Sequence, residues 1–313
     1  MRNLNLFGRA FFVISDPGGA KPILAFILKN KNKFTEFYIL SDKLHSFYQD
    51  FDLPIHLKNK ICKNDLLQFS PDFIITATSH KSNIEIHALY LAKKIKLKSY
   101  VYIDHSTYIL ERFLFRKKYV FPDYILACDK YVKNELIFQG FNTKNIVILN
   151  NPYLLWLAKW TPSISKEKFF EKFGLDLTKK TLLYLPDPLS NKSDALNQFG
   201  YDEIIATKEL NILFKKLKSN YNILLKPHPN QNLIKFNSIK NKQFIVLDTN
   251  SDINSFFYYS DYIIGFFSNS LIEALIFKKK VFRYQPINTI YDPLKNRNIG
   301  TVSNINTLLK YLS

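Results

Sequence analysis

Cysteine and histidine are scarce in this chain, with two and six in 313 residues, and its 26 Asp and Glu are far outnumbered by 44 Lys and Arg. Cys62 and Cys128 form no metal-ligand or redox spacing, so neither a cysteine metal site nor a disulfide framework is expected. The shortage itself fits a reducing compartment. Cys128 closes the apolar run "YILAC" and reads as a small buried hydrophobe. Long apolar runs are missing too. Nothing near the N-terminus resembles a signal peptide, and "AFFVIS" is too short to cross a bilayer. The expected location is cytoplasmic, with peripheral contact to the inner membrane face through basic and aromatic residues. There is no internal repeat, and no low-complexity tract beyond a Lys/Asn bias.

What is plentiful is apolar and positive. At 47% hydrophobic and 16% aromatic residues the chain can bury a sizeable core, and its length suits two domains better than one. A net charge of +18 gives a positive potential and implies an anionic partner. A base-composition bias would give the same even spread of Lys, Asn, Ile and Phe. The lysines are scattered rather than clustered with aromatic platforms, so nucleic acid is not the expected partner.

Short apolar runs alternate with segments of helical period, the pattern of parallel sheets with helices on both faces. Strands are predicted at "AFFVISD", "EFYILSD", "DFIITATS", "KSYVYID", "YILAC" and "NIVIL". Between them lies a helix over 83–95 with Ile84, Ala88, Leu91 and Ala92 on one face. The rhythm breaks near residue 151 and restarts near 179 with "TLLYLPD", a helix from Asp202 to Leu217, "YNILLKP", "FIVLD", "DINSFFYY", "YIIGF", "NSLIEALIF" and "KVFRYQ". The fold class expected is α/β, two doubly wound Rossmann-like domains at 1–155 and 179–313, joined by a linker over 156–178 and facing across a cleft. In such sheets ligands sit beyond the carboxyl ends of the strands.

Candidate chemistry therefore lies at strand ends. In "SDPGGAKP", Gly18 and Gly19 let backbone approach a ligand at a helix start, and Asp16 is a candidate base; an ordinary strand-to-helix turn explains the same pattern. Asp104 and His105 in "YIDHSTYILERF" are further candidate bases, with Glu111 and Arg112 placed to bind acceptor or structure the loop. "ATSHKSN" adds Ser79 and His80. In "LLKPHPNQN", Pro227 and Pro229 stiffen the backbone around His228, and Lys226 adds a charge suited to a phosphate oxygen. In "FFSNSLIEALIF", Ser268, Asn269 and Ser270 open a helix with Glu273 one turn in. That reads as a phosphate cradle, as a Ser270/Glu273 capping box, or as both. Asp252 reads as a helix N-cap, with Asn250 and Ser251 beside it.

From "KPHP" through "YSDYIIGFFSNSLIEALIFKKKVFRY", the second half resembles the donor half of GT-B-fold glycosyltransferases. In motif it is similar to bacterial sialyltransferases, capsular Kdo transferases and CDP-glycerol glycerophosphotransferases. The resemblance implies that His228 and Pro229, with Ser268 and Ser270, hold the phosphate of a nucleotide donor, and that Glu273 binds ribose or sugar hydroxyls. The sialyltransferase acidic motif ending in Gly is absent, which leaves Asp16, Asp104 and His105 as the candidate bases. The expectation is a glycosyltransferase that moves a sugar or alditol phosphate from a CMP/CDP- or UDP-linked nucleotide donor onto a surface polysaccharide or lipopolysaccharide, a glycan or glycolipid acceptor, with no cofactor and no metal. The alternatives are a nucleotide-sugar epimerase or hydrolase of the same fold, and a non-catalytic glycan- or nucleic-acid-binding protein.

Overall fold

The computed structural model describes residues 6–79, 82–191, 194–228, 231, 236, 244–249, 251–287, 292–295 and 297–313. It divides into two compact units, Met1–Trp156 and Leu157–Ser313.

In the first unit, β1 (Gly8–Ile14), β2 (Phe34–Ser41), β3 (Ile55–Leu57), β4 (Phe73–Thr76) and β5 (Lys98–Ile103) belong to one sheet. A short hairpin, β6 (Leu114–Phe115) and β7 (Lys118–Tyr119), separates them from β8 (Tyr124–Ala127) and β9 (Ile146–Ile148). The sheet has seven strands in the order β3-β2-β1-β4-β5-β8-β9. Each of its ladders is parallel. Parallel neighbours need long crossovers, supplied here by α1 (Pro17–Asn30), α2 (Lys63–Phe69), α3 (Ile84–Lys94) and α4 (Lys130–Phe138); α5 (Pro152–Leu157) carries the chain out. The central strands are apolar on both faces because helices cover both, and Phe11, Phe12, Val13, Ile74 and Ile75 are all buried. Pro17 occupies the first turn of α1, where a missing N–H costs nothing.

In the second unit, β10 (Lys180–Leu185), β11 (Tyr221–Leu225), β12 (Ile245–Val246), β13 (Tyr262–Gly265), β14 (Lys280–Tyr284) and β15 (Thr301–Ser303) form a sheet in the order β12-β11-β10-β13-β14-β15. Its ladders are parallel as well. The helices are α6 (Lys166–Phe173), α7 (Ala195–Phe199), α8 (Glu203–Leu217), α9 (Ile253–Tyr259), α10 (Ser270–Ile276) and α11 (Ile305–Leu312). Asp202 caps α8 and Asp252 caps α9, each carboxylate accepting two backbone N–H bonds. The short strands β3, β6, β7 and β15 and the helices α2, α4, α5, α7 and α11 add to the elements named from sequence.

The segment 156–178, whose "SKEKFFEKFG" reads from sequence as a charged helix within a linker, holds α6. Ser165 caps α6, Gly174 ends it at φ 63°, and Phe169 and Phe170 enter the core of the second unit. The Phe169 ring meets Phe256 at 5.0 Å and Tyr259 at 4.9 Å. Among the described residues no helix is long and apolar enough to cross a membrane.

The two tryptophans fall in different units: Trp156 stacks on Phe51, and Trp160 meets Tyr258 and Phe277. In a Trp156→Phe background, Phe169→Ala is expected to destabilise the second unit by about 3–5 kcal/mol, read as a lowered urea midpoint of Trp160 fluorescence. An unchanged midpoint would leave α6 outside that unit's core.

Candidate functional site

Each unit gathers polar residues at the carboxyl edge of its own sheet. In the first, β1 and β4 are neighbours whose connections leave in opposite directions, the switch point where an open α/β sheet has a natural crevice. The Asp16 N–H donates to Ser79 Oγ across this point at 3.0 Å. The Asp16 carboxylate pairs with Lys43 Nζ at 2.6 Å in a half-exposed bridge. Asp104 accepts from Arg112 Nη1 at 2.8 Å, and the same guanidinium nitrogen reaches Thr78 Oγ1 at 2.7 Å. Arg112 Nε also donates to the Thr107 carbonyl, so Arg112 structures the loop after β5.

Asp104 and His105 diverge, as adjacent residues at a strand end do. His105 Nδ1 accepts the Thr107 N–H at 3.2 Å and lies 2.9 Å from the Thr107 hydroxyl. An accepting Nδ1 places the neutral ring's proton on Nε2, which makes that atom a donor rather than a base. Gly18 and Gly19 have a packing role. A Cβ at Gly18 would run into the Asp104 carboxylate, and one at Gly19 into the Ala77 side chain. Both glycines let the first turn of α1 close onto the ends of β4 and β5. His80 lies outside the described residues.

Glu85 is the residue that sequence reasoning missed. It sits in the first turn of α3, 2% exposed, and neither carboxyl oxygen has a hydrogen-bond partner. A helix N-terminus favours a carboxylate and so does the nearby Ser79 hydroxyl, but burial outweighs both. With Asp16, Asp42 and Asp104 adding repulsion, the Glu85 carboxyl is pushed up to about 8. Asp42, at the end of β2, accepts from Ser82 Oγ at 2.5 Å through one oxygen, while the other is buried without a partner. Next to it, His45 Nε2 donates to the Ser15 carbonyl at 2.7 Å, and burial pushes this imidazole below its ordinary value. The edge is therefore a cluster of four acids, Asp16, Asp42, Glu85 and Asp104, in which one stays protonated at neutral pH. The signal was an acid at position 85, beside Ile84 and i−4 to Leu89, on what proves to be the packed face of α3.

In the second unit the central strands β11, β10 and β13 end side by side. Lys226 is 7% exposed and donates to the Thr249 carbonyl at 2.9 Å. His228 is clamped by Gln231: its N–H donates to Gln231 Oε1 at 2.7 Å, and the Gln231 N–H returns to the His228 carbonyl at 2.8 Å. Pro229 and Asn250 lie outside the described residues. Asp187, at the end of β10, accepts the Phe267 N–H at 2.7 Å and fixes the start of the loop holding Ser268 to Ser270. The Ser268 and Ser270 hydroxyls bond each other at 2.9 Å.

One local expectation is corrected. Asn269, not Ser270, occupies the N-cap position of α10, and no side chain caps it. Ser270 is already helical, its N–H donates to Ser268 Oγ, and the Glu273 N–H bonds the Asn269 carbonyl. The Ser270/Glu273 capping box therefore does not form, because the turn starts one residue earlier than S-x-x-E implies.

The chain also holds an Asp-x-Asp triplet, Asp50-Phe51-Asp52, a spacing that metal-dependent transferases use. Phe51 is 2% exposed in an aromatic cluster, and Asp52 has φ 46°. Among the described residues, no three His, Cys, Asp or Glu side chains are grouped as a metal ion would require.

Comparison with solved structures defines the class of protein. The UDP-GlcNAc 2-epimerase of Neisseria meningitidis, solved bound to UDP-GlcNAc, is 14% identical, with a TM-score of 0.68 over 97% of this chain and 92% of that one. The UDP-GlcNAc 2-epimerase of Methanocaldococcus jannaschii is 15% identical, with a TM-score of 0.65 over 96% and 91%. At such identities the likeness establishes the fold alone, two Rossmann-like α/β domains of GT-B type. The chain belongs to the CDP-glycerol:poly(glycerophosphate) glycerophosphotransferase family, whose profile matches residues 117–299. No curated protein matches it by sequence.

Between about pH 4.5 and 8 the folded chain holds a proton on Glu85 that the unfolded chain releases. Stability therefore falls as pH rises through that window, and the full cost is present above it. Glu85→Gln is expected to match the wild type near pH 4.5 and to exceed it by a few kcal/mol, on the order of 3, at pH 9. Urea unfolding across that range tests this, and parallel pH profiles for the two proteins would refute it.

Proposed function

We propose that this protein is a GT-B-type transferase that takes a sugar or alditol phosphate from a nucleotide-activated donor and passes it to a hydroxyl of a glycan or glycolipid. The observation that carries this reading is the edge of the second sheet. Lys226, a His228 held in place by Gln231, and the Ser268–Ser270 loop tethered by Asp187 stand on adjacent strand ends. These groups offer positive charge and hydrogen-bond donors to the phosphate of a departing nucleotide, work a divalent cation does elsewhere. In transfer, the acceptor oxygen loses its proton to a base and bonds to the reacting atom of the donor. The nucleotide leaves with the electron pair of the broken bond. Within the first unit, Asp16 and Asp104 are the acids assigned to proton removal at strand ends, and Gly18 and Gly19, which let the first turn of α1 pack closely, remain assigned to the donor. Glu273 and Asn269 remain assigned to the donor side of the second unit.

A nucleotide-sugar epimerase or hydrolase is the second reading, and the solved structures weigh toward it, since the similar proteins of Neisseria meningitidis and Methanocaldococcus jannaschii carry UDP-GlcNAc 2-epimerase names. A buried Glu85 carboxyl pushed up to about 8, with three further acids near it, also suits acid–base chemistry on a bound sugar. The two differ in their need for an acceptor.

CDP-glycerol and UDP-GlcNAc, each incubated with and without a polymeric acceptor and followed by NMR, separate the readings. Transfer is expected to release nucleotide only with acceptor. Acceptor-independent UDP release or a C2-epimerised sugar would establish the second. His228→Ala is expected to lower turnover about a hundredfold in either case, and wild-type turnover in that variant would remove His228 from the site. Activity should survive EDTA; a strict divalent requirement would overturn the metal-free proposal.

A further inference from the structure

The β6–β7 hairpin belongs to neither strand-end cluster, and its construction is unusual. Its two-residue turn is Arg116-Lys117, at φ 50° and 63°, the left-handed pair of a type I′ turn. Asn-Gly is the easy occupant of such a turn, and long cationic side chains are poor ones. Lys118 adds a third cation, and residues 113–121, "FLFRKKYVF", include no acid. The ion pairs among the described residues involve none of the three.

The two faces of the hairpin differ. Phe115 points to α3, where its ring stacks on His87 at 5.3 Å and meets Tyr90 at 5.4 Å, so the hairpin is seated on the domain. On the other face Leu114 pairs with Tyr119 across the strands. Phe121 follows two residues on, its ring parallel to that of Tyr119 at 5.7 Å. Leu114, Tyr119 and Phe121 are 47%, 56% and 42% exposed. The result is an apolar ridge, one aliphatic and two stacked aromatic side chains, ending in a tip of three cations.

We infer that this hairpin docks the protein on an anionic lipid surface. Three adjacent cations match the negative potential of such a surface, and long basic side chains reach headgroup phosphates while their stems lie along apolar surface. Leucine and aromatic rings insert at the boundary between headgroups and acyl chains, where tyrosine is favoured. A soluble polyanion would use the cations and leave the ridge in water. The inference does not rest on the reading of the second unit, and its failure leaves that reading untouched.

The test is cosedimentation of the full chain with phosphatidylcholine vesicles, with and without phosphatidylglycerol, alongside titration with soluble polyphosphate. Each surface cation contributes about fivefold to partitioning, so Arg116→Asn/Lys117→Gly is expected to weaken binding to the anionic vesicles about twentyfold. That pair suits a type I′ turn, so its thermal midpoint should not fall. Leu114→Ser/Tyr119→Ser is expected to weaken vesicle binding while leaving polyphosphate binding unchanged. Wild-type partitioning in the Asn-Gly variant, equal binding to neutral vesicles, or no effect of the Ser variant would overturn the assignment. The last result would make the hairpin a polyanion site.

Discussion

Parallel pairing is the constraint on which the rest of this molecule depends. Because the paired strands of each large sheet run the same way, every strand-to-helix turn falls on one edge and every return on the other. Residues distant in sequence, such as Asp16, Asp42, Ser79 and Asp104, become neighbours with no local signal between them. The second sheet does the same with Asp187, Lys226 and Phe267. The core arranges the chemistry as a by-product of its pairing, and dense apolar packing keeps both edges in register.

That arrangement creates an electrostatic problem at the first edge. Asp16 and Asp104 meet it with the partly exposed cations Lys43 and Arg112, so their charge is shared at the surface. Glu85 has no cation, and burial leaves the neutral acid as its stable form near neutral pH. Two solutions to like-charge crowding thus stand side by side. The first spreads charge into solvent, and the second withholds it.

The strands and main crossover helices were legible because apolar runs and helical period are local properties. Asp252 was legible as a cap for the same reason, since a cap acts on backbone two or three residues away. What escaped was decided by packing across the fold. Position 85 reads as a helix-start acid, yet its side chain turns inward under the strand ends. Gln231 reads as one amide among several, yet it exchanges two hydrogen bonds with His228. Asp187 reads as part of a turn, and its bond to Phe267 spans 80 residues of chain. The S-x-x-E pattern misled through a one-residue shift of the helix start, a detail that periodicity does not resolve.

The contact between Gly18 and Asp104 has a historical consequence. No side chain enters at 18 while the Asp104 carboxylate holds its place, and that carboxylate is fixed by Arg112. A substitution at 18 is therefore admissible only in a chain whose residue at 104 has already shrunk or swung away, which in turn releases Arg112 from its partner.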